Sequence, residues 1–367
     1  MRSISVLVVD DSVVVRRLVS DVLAGDPAIE VVGTAANGKI ALAKIPQLNP
    51  DVVTLDVEMP IMDGLETLKH LRGLYPKLPV IMFSTLTERG ASATLDALER
   101  GASDYVTKPA NVGSISASMD AVRAQLIPKI KALCPRGYTA PAVSAPPATT
   151  RPVTSRPPEQ GPAARIDIVV VGVSTGGPDA LTLVISALPK DVPVPIVIVQ
   201  HMPPVFTALF AQRLDTKSKL AVSEAQAGNR LEPGKVLIAP GNYHLRLRPD
   251  KFGVVTQLDQ GTPENFCRPA VDVLFRSAAE TFGNAVLGVV LTGMGSDGAK
   301  GSARIVEAGG SVIVQNAATS VVWGMPGAVV NAGLASDVLP LSDIARVMQA
   351  RVAHGRSPVT AKAWTRP

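Results

Sequence analysis

The sequence predicts an α/β protein made of two doubly wound parallel-sheet domains, and three observations predict it. The chain is 367 residues long, more than one hydrophobic core usually organises. Residues 135–164 hold eight prolines among Ala, Thr and Ser, with no apolar periodicity, which reads as a semi-stiff spacer. On both sides of the spacer, short Val/Ile/Leu runs alternate with longer amphipathic segments, the pattern of parallel strands covered by helices on both faces.

In the first half, residues 4–9, 29–34, 51–55, 80–84 and 104–106 read as strands, each followed by a helix. The alternation returns in 168–172, 196–200, 235–239, 286–291 and 311–315. The expected organisation is one domain over 1–125, a helix end and spacer over 126–164, a second domain over 165–352, and a basic tail over 353–367. The stretch 346–367 has five basic residues and no acidic one, and reads as a solvated end. The halves share their alternation but not their motifs, so they are not internal repeats.

Composition narrows the function. Apolar residues make up 46% of the chain and charged ones 18%, which fits packed domains and excludes disorder over most of the length. The net charge of +5 is scattered, without the stripe of Lys/Arg and aromatics that marks a nucleic-acid surface. No apolar run reaches the roughly 18 to 20 residues of a membrane helix, and the N-terminus carries no cleavage site, so a cytosolic protein without membrane insertion is expected. Cys134 and Cys267 have neither disulfide-framework nor zinc-ligand spacing and read as plain reduced thiols.

In the first domain, Asp10 and Asp11 end the first strand, Asp56 the third and Ser84 the fourth, while Lys108 and Pro109 follow the fifth. The doubly wound topology brings these ends to one edge. Three carboxylates there repel one another, and a hard divalent cation such as Mg²⁺ would neutralise them. A carboxylate beside that ion can accept a phosphoryl group, with a lysine and a hydroxyl steadying the transferred oxygens. Taken singly, each residue has a plainer explanation as a cap, turn or solvated charge.

Val8-Val9-Asp10-Asp11-Ser12, Leu55-Asp56-Val57-Glu58-Met59-Pro60 and Thr107-Lys108-Pro109 resemble the receiver domain of two-component response regulators, a flavodoxin-like fold. The resemblance implies that Asp10, Asp11, Asp56 and the carbonyl of Glu58 hold Mg²⁺. It further implies that Asp56 is the phosphoacceptor, that Ser84 and Lys108 contact the phosphoryl group, and that Tyr105 is an aromatic switch.

In the second domain, the first strand runs into Val173-Ser174-Thr175-Gly176-Gly177-Pro178, followed by a helical pattern. A serine between strand and helix exposes its hydroxyl at the sheet edge, beside free helix N–H groups. The turn has neither the dinucleotide fingerprint nor the Lys-Ser/Thr ending of a phosphate loop. The next strand ends in Val199-Gln200-His201-Met202-Pro203-Pro204, and another leads into Thr292-Gly293-Met294-Gly295-Ser296-Asp297-Gly298-Ala299. A lone histidine is ordinarily structural, the reading that suits His244 on its strand. His201, at the shared edge, can act as general base for Ser174, with Asp297 fixing its tautomer and main-chain N–H groups holding an oxyanion.

These segments, together with Ile238-Ala239-Pro240-Gly241, Arg268-Pro269-Ala270-Val271-Asp272-Val273-Leu274-Phe275 and Trp323-Gly324-Met325-Pro326, resemble the chemotaxis protein-glutamate methylesterases, whose Rossmann-like catalytic domain follows a receiver. The resemblance implies hydrolysis of glutamate γ-methyl esters on chemotaxis receptors with release of methanol, and deamidation of receptor glutamines, both through an acyl-enzyme and without a cofactor. It maps the oxyanion donor to the Met294 N–H and a supporting role to Thr175. It names a chemotaxis histidine kinase as phosphodonor, suggests a monomer, and suggests that the receiver blocks Ser174 until Asp56 is phosphorylated. Two positions depart from the pattern: Cys267, where histidine is commoner, and Asn316, where an acidic residue is usual. The competing expectations are a non-enzymatic receptor adaptor and a DNA-binding output. The large α/β second half argues against the latter.

Overall fold

The computed structural model describes residues 3–108, 115–134 and 165–354, without the side chains of 115–117. Pro109, the spacer 135–164 and the tail from 355 onward lie outside the described residues. Contacts cluster into two compact units, with the division at Arg151/Pro152.

The first unit runs β1 (Ile4–Val9), α1 (Val13–Ala24), β2 (Ile29–Ala35), α2 (Gly38–Leu48), β3 (Val52–Asp56), α3 (Gly64–Leu74), β4 (Val80–Ser84), α4 (Glu88–Glu99), β5 (Asp104–Thr107) and α5 (Ile115–Leu133). The five strands pair in parallel in the order β2-β1-β3-β4-β5. β1, β3 and β4 are buried at every position, as apolar strands under two helical layers must be. Val6, Val8, Ile81, Phe83 and Val106 meet Leu23 of α1 and Leu126 of α5 in one core.

The second unit adds β6 (Ile168–Val173), α6 (Gly177–Ser186), β7 (Ile196–Gln200), α7 (Phe206–Lys217), β8 (Ala221–Glu224), β9 (Lys235–Ile238), β10 (His244–Asp250), β11 (Gly253–Asp259) and α8 (Val271–Phe282). It closes with β12 (Val286–Val290), α9 (Ala299–Glu307), β13 (Ser311–Gln315), α10 (Met325–Asn331), β14 (Asp337–Leu339) and α11 (Leu341–Ala353). Seven strands form a parallel sheet in the order β14-β13-β12-β6-β7-β9-β8, and β10 and β11 make a separate antiparallel hairpin. The fold is therefore two parallel-sheet α/β domains. The sequence pattern does not reveal β8 and β14, short edge strands of four and three residues with partly exposed side chains.

Helix α8 crosses the second sheet with Val271, Leu274, Phe275 and Ala278 in its core. Phe275 is wholly buried, and truncating such a side chain costs about 3–5 kcal/mol. The packing aims the N-terminus of α8 at the strand ends where the candidate site forms.

Candidate active site and phosphoacceptor pocket

The order β2-β1-β3-β4-β5 places β1 beside β3, so Asp10, Asp11 and Asp56 gather at one edge, with ligand atoms within 4.8 Å of one another. Asp10 and Asp56 are buried while Asp11 is exposed. The cap of α1 is Ser12, whose hydroxyl accepts from Val15 N, so neither aspartate is spent as a helix cap. Lys108 Nζ lies 2.8 Å from Asp56 Oδ2 and 2.9 Å from Asp10 Oδ2. Burial chiefly, with the Asp10 charge, pushes the Asp56 carboxyl up to about 6 against the opposing pull of Lys108. Burial alone would lower the Lys108 ammonium, but Asp56 and Asp10 outweigh it and hold it above its usual range.

The buried Asp10 Oδ2 has the Lys108 ammonium at 2.9 Å as its one close polar partner among the described residues. An acceptor oxygen in a three-carboxylate pocket suits a hard cation, so these residues fit the expected Mg²⁺. Ser84 is buried at the end of β4, and its hydroxyl donates to Gly90 O of α4 at 3.0 Å rather than into the pocket. Tyr105 is buried, and the Lys129 ammonium lies 4.9 Å from its ring centroid. The exposed Glu58 carboxylate pairs with Arg89, leaving its backbone carbonyl as the group relevant to the pocket.

In the second unit, β6 pairs with β7 so that Val173 faces Gln200, which carries Ser174 and His201 off adjacent strand ends. His201 N donates to Val173 O at 3.2 Å. The buried Gln200 side chain ties the two turns, its amide donating to Ser174 O at 3.1 Å and to His201 O at 3.4 Å. On the other side of β6, the loop after β12 delivers Asp297, whose Oδ2 lies 2.8 Å from His201 Nε2. Asp297 is buried and heavily bonded. Oδ2 also accepts from Val271 N at 2.7 Å, while Oδ1 accepts from Asn265 Nδ2, Asp272 N and Gly298 N at 2.9–3.0 Å. Two of those donors are the first N–H groups of α8, where a helix end favours negative charge.

Burial raises the Asp297 carboxyl, but His201 and these N–H groups prevail and hold it below the usual range. Asp272, beside it, moves the other way through burial and the charge of Asp297. An ionised Asp297 puts the ring proton on Nε2, so Nδ1 is the nitrogen left to act as base. That nitrogen lies 3.6 Å from Cys267 Sγ, and among the described residues Ser174 Oγ forms no hydrogen bond. His201 is pushed up: burial opposes its charge, but Asp297 and Cys267 outweigh it, so the ring holds a proton tightly and Nδ1 serves as base only in the neutral form.

Thr175 is buried, and its carbonyl accepts from Thr292 Oγ1 at 3.0 Å, fixing the serine turn to the loop after β12. Met294 is half-buried, and among the described residues its N–H meets no acceptor. Asn316 keeps an acceptor oxygen for Thr319 N and Oγ1, supporting the turn that holds Gln315, which in turn binds Thr292 N. His244 is structural as expected, with Nε2 3.1 Å from Thr262 O and Nδ1 accepting from Ala270 N. Sequence reasoning missed Asn265 and Asp272 as supports of Asp297. Asn265 Nδ2 bonds both carboxylates at 2.9 Å, and its turn is closed by Cys267 N donating to Glu264 O and by the Glu264–Arg276 pair. Both residues lie in or beside the Arg268-to-Phe275 motif, which was the one available signal.

Residues 6–120 match the response regulator receiver domain, and residues 169–348 match the CheB methylesterase family. A protein-glutamate methylesterase/protein-glutamine glutaminase from a Nocardioides species is 57% identical over 97% of each chain. The chain belongs to the CheB family of protein-glutamate methylesterases/protein-glutamine glutaminases. A relative of the same description from Trichodesmium erythraeum is 52% identical over 96% of this chain and 100% of its own. The crystal structure of the Thermotoga maritima CheB methylesterase catalytic domain superposes with a TM-score of 0.50 and 45% identity, over 51% of this chain and 99% of that one. No described helix is long and apolar enough to cross a membrane.

Proposed function

We propose that this CheB-family chain is a phosphorylation-controlled serine hydrolase of the cytoplasm that removes γ-methyl esters from glutamates of chemotaxis receptors and deamidates receptor glutamines. The observation that carries this reading is the 2.8 Å His201–Asp297 pair at the strand ends beside Ser174. Asp297 holds the imidazole with Nδ1 free to accept a proton. Ser174 Oγ attacks the ester carbonyl as Nδ1 takes its proton, and the Met294 N–H stabilises the oxyanion. Collapse of the tetrahedral species, with the proton returned by His201, releases methanol from an ester or ammonia from an amide. Water then repeats the cycle on the acyl-enzyme. Thr175 supports the turn, and this chemistry needs no cofactor.

In the receiver, taken over residues 1–125, Asp56 is the phosphoacceptor and a chemotaxis histidine kinase the donor. Asp10, Asp11, Asp56 and the Glu58 carbonyl would hold Mg²⁺, which supplies charge neutralisation for phosphoryl transfer. Lys108 pairs with the transferred oxygens, Ser84 turns its hydroxyl toward them, and Tyr105 reports the state of the pocket. The helix end and spacer over 126–164 join this switch to the hydrolase over 165–352, with 353–367 as a basic tail. A monomer suffices, and phosphorylation shifts the population from a receiver-covered to an uncovered Ser174.

The test follows methanol release from methylated receptor membranes by wild type and Ser174→Ala, each with and without a small phosphodonor and Mg²⁺. Wild type is expected to release methanol, faster with phosphodonor, and Ser174→Ala to lose at least about 10³-fold. Equal rates would leave a receptor-binding adaptor instead.

A further inference from the structure

Cys267 is a thiol that the hydrolytic mechanism does not use, yet its sulfur is 3.6 Å from the base nitrogen of His201. The sequence separates the two by 66 residues, so the pairing is a product of the fold. Their ligand atoms and a carboxylate oxygen of Asp297 all lie within 4.8 Å of one another. In a tetrahedral site, metal–nitrogen and metal–sulfur bonds of about 2.0 and 2.3 Å place the two ligand atoms roughly 3.5–3.6 Å apart. The observed separation therefore needs no backbone movement to admit an ion between them.

We propose that His201 Nδ1 and Cys267 Sγ form a binding site for a thiophilic divalent cation of the zinc class. Asp297 serves it from outside the coordination shell. Both of its oxygens are already committed to N–H donors, and one of them receives the far side of the imidazole, the carboxylate–histidine arrangement that fixes a ligand ring and raises its basicity. Asn265 locks the carboxylate in turn. Binding displaces the thiol proton of Cys267 to solvent and takes up the Nδ1 lone pair. Water completes the shell, since His201 and Cys267 are partly accessible. The receiver pocket offers oxygen ligands alone and selects a hard ion, so the two sites sort metals by softness. The site stands apart from the esterase reading, but its consequence rests on it: an ion on Nδ1 removes the base from Ser174.

The test titrates the full chain with Co²⁺ in excess Mg²⁺ and follows thiolate-to-cobalt charge-transfer absorption in the near ultraviolet, which an all-oxygen pocket cannot produce. The band should saturate at one ion per chain, be bleached by Zn²⁺, and persist in Cys134→Ser and Ser174→Ala. It should vanish in Cys267→Ser, Cys267→Ala and His201→Gln alike, since each removes one of the two protein ligands, with circular dichroism unchanged. No band in wild type, or one that survives loss of Cys267, overturns the site. Zn²⁺ should also suppress methanol release reversibly by a chelator. A band accompanied by undiminished methanol release supports the ion site and overturns His201 as the base, so the two readings fail separately.

Discussion

The two pockets both form at the strand ends of a parallel sheet and differ in how far the fold alone completes them. In the receiver, Lys108 already touches Asp10 and Asp56 at adjacent strand ends, while the Ser84 hydroxyl turns to Gly90 O. In the hydrolase, the His201–Asp297 pair lies at hydrogen-bond distance, while Ser174 Oγ has no bond among the described residues and Nδ1 faces Cys267. Opposite charges draw their partners together over several ångströms without strict direction. A nucleophile and its base need a short directional bond, often completed only when substrate arrives. On the proposed roles, assembled charge goes with the pocket that would receive the phosphoryl group, and an open hydrogen bond with the one that would wait for substrate.

The contrast can be broken most completely at Asp56. Asp56→Asn should lose the whole phosphodonor-dependent rise in methanol release, because no other described carboxylate ends β3. Next in size is Gly293→Ala. A Cβ there would fall 2.9 Å from Ser174 Cβ and into Met325 Sδ, shifting the nucleophile at a cost of about 10²-fold in kcat while Asp56 is still phosphorylated. Asn265→Ala removes one donor from Asp297 and leaves four, so a loss of about tenfold in kcat with little change in KM is expected from steady-state methanol release.

The smallest effect is a pH dependence. The Arg276 guanidinium holds the Glu264 carboxyl below its usual 4.5, so the pair contributes stability above that pH and loses it as pH falls through the lowered value. Thermal melts of wild type and Glu264→Gln should differ near neutrality and converge once the pH drops well below 4.5. The partly exposed pair contributes about 1 kcal/mol or less. No difference even near neutrality would mean the turn is held by Cys267 N and Asn265 instead of charge.

Most of the fold was legible because buried parallel strands write themselves as unbroken apolar runs, as in β1, β6 and β12. Edge strands β8 and β14 were not, since short half-exposed segments carry no such signature. The order of the chain also placed Asp56, Ser174, His201 and Asp297 at strand ends, where the topology obliges functional groups to collect. What it could not contain is the contact that crosses between loops. The Asn265 bridge between two carboxylates, the Gln200 tie between two turns and the approach of Cys267 to His201 each join residues many positions apart. Periodicity is a local property, written by the backbone into every few residues. The distance from Cys267 Sγ to His201 Nδ1 depends on how α8 packs across the sheet and how the turn before it is pinned, and only the folded core decides that.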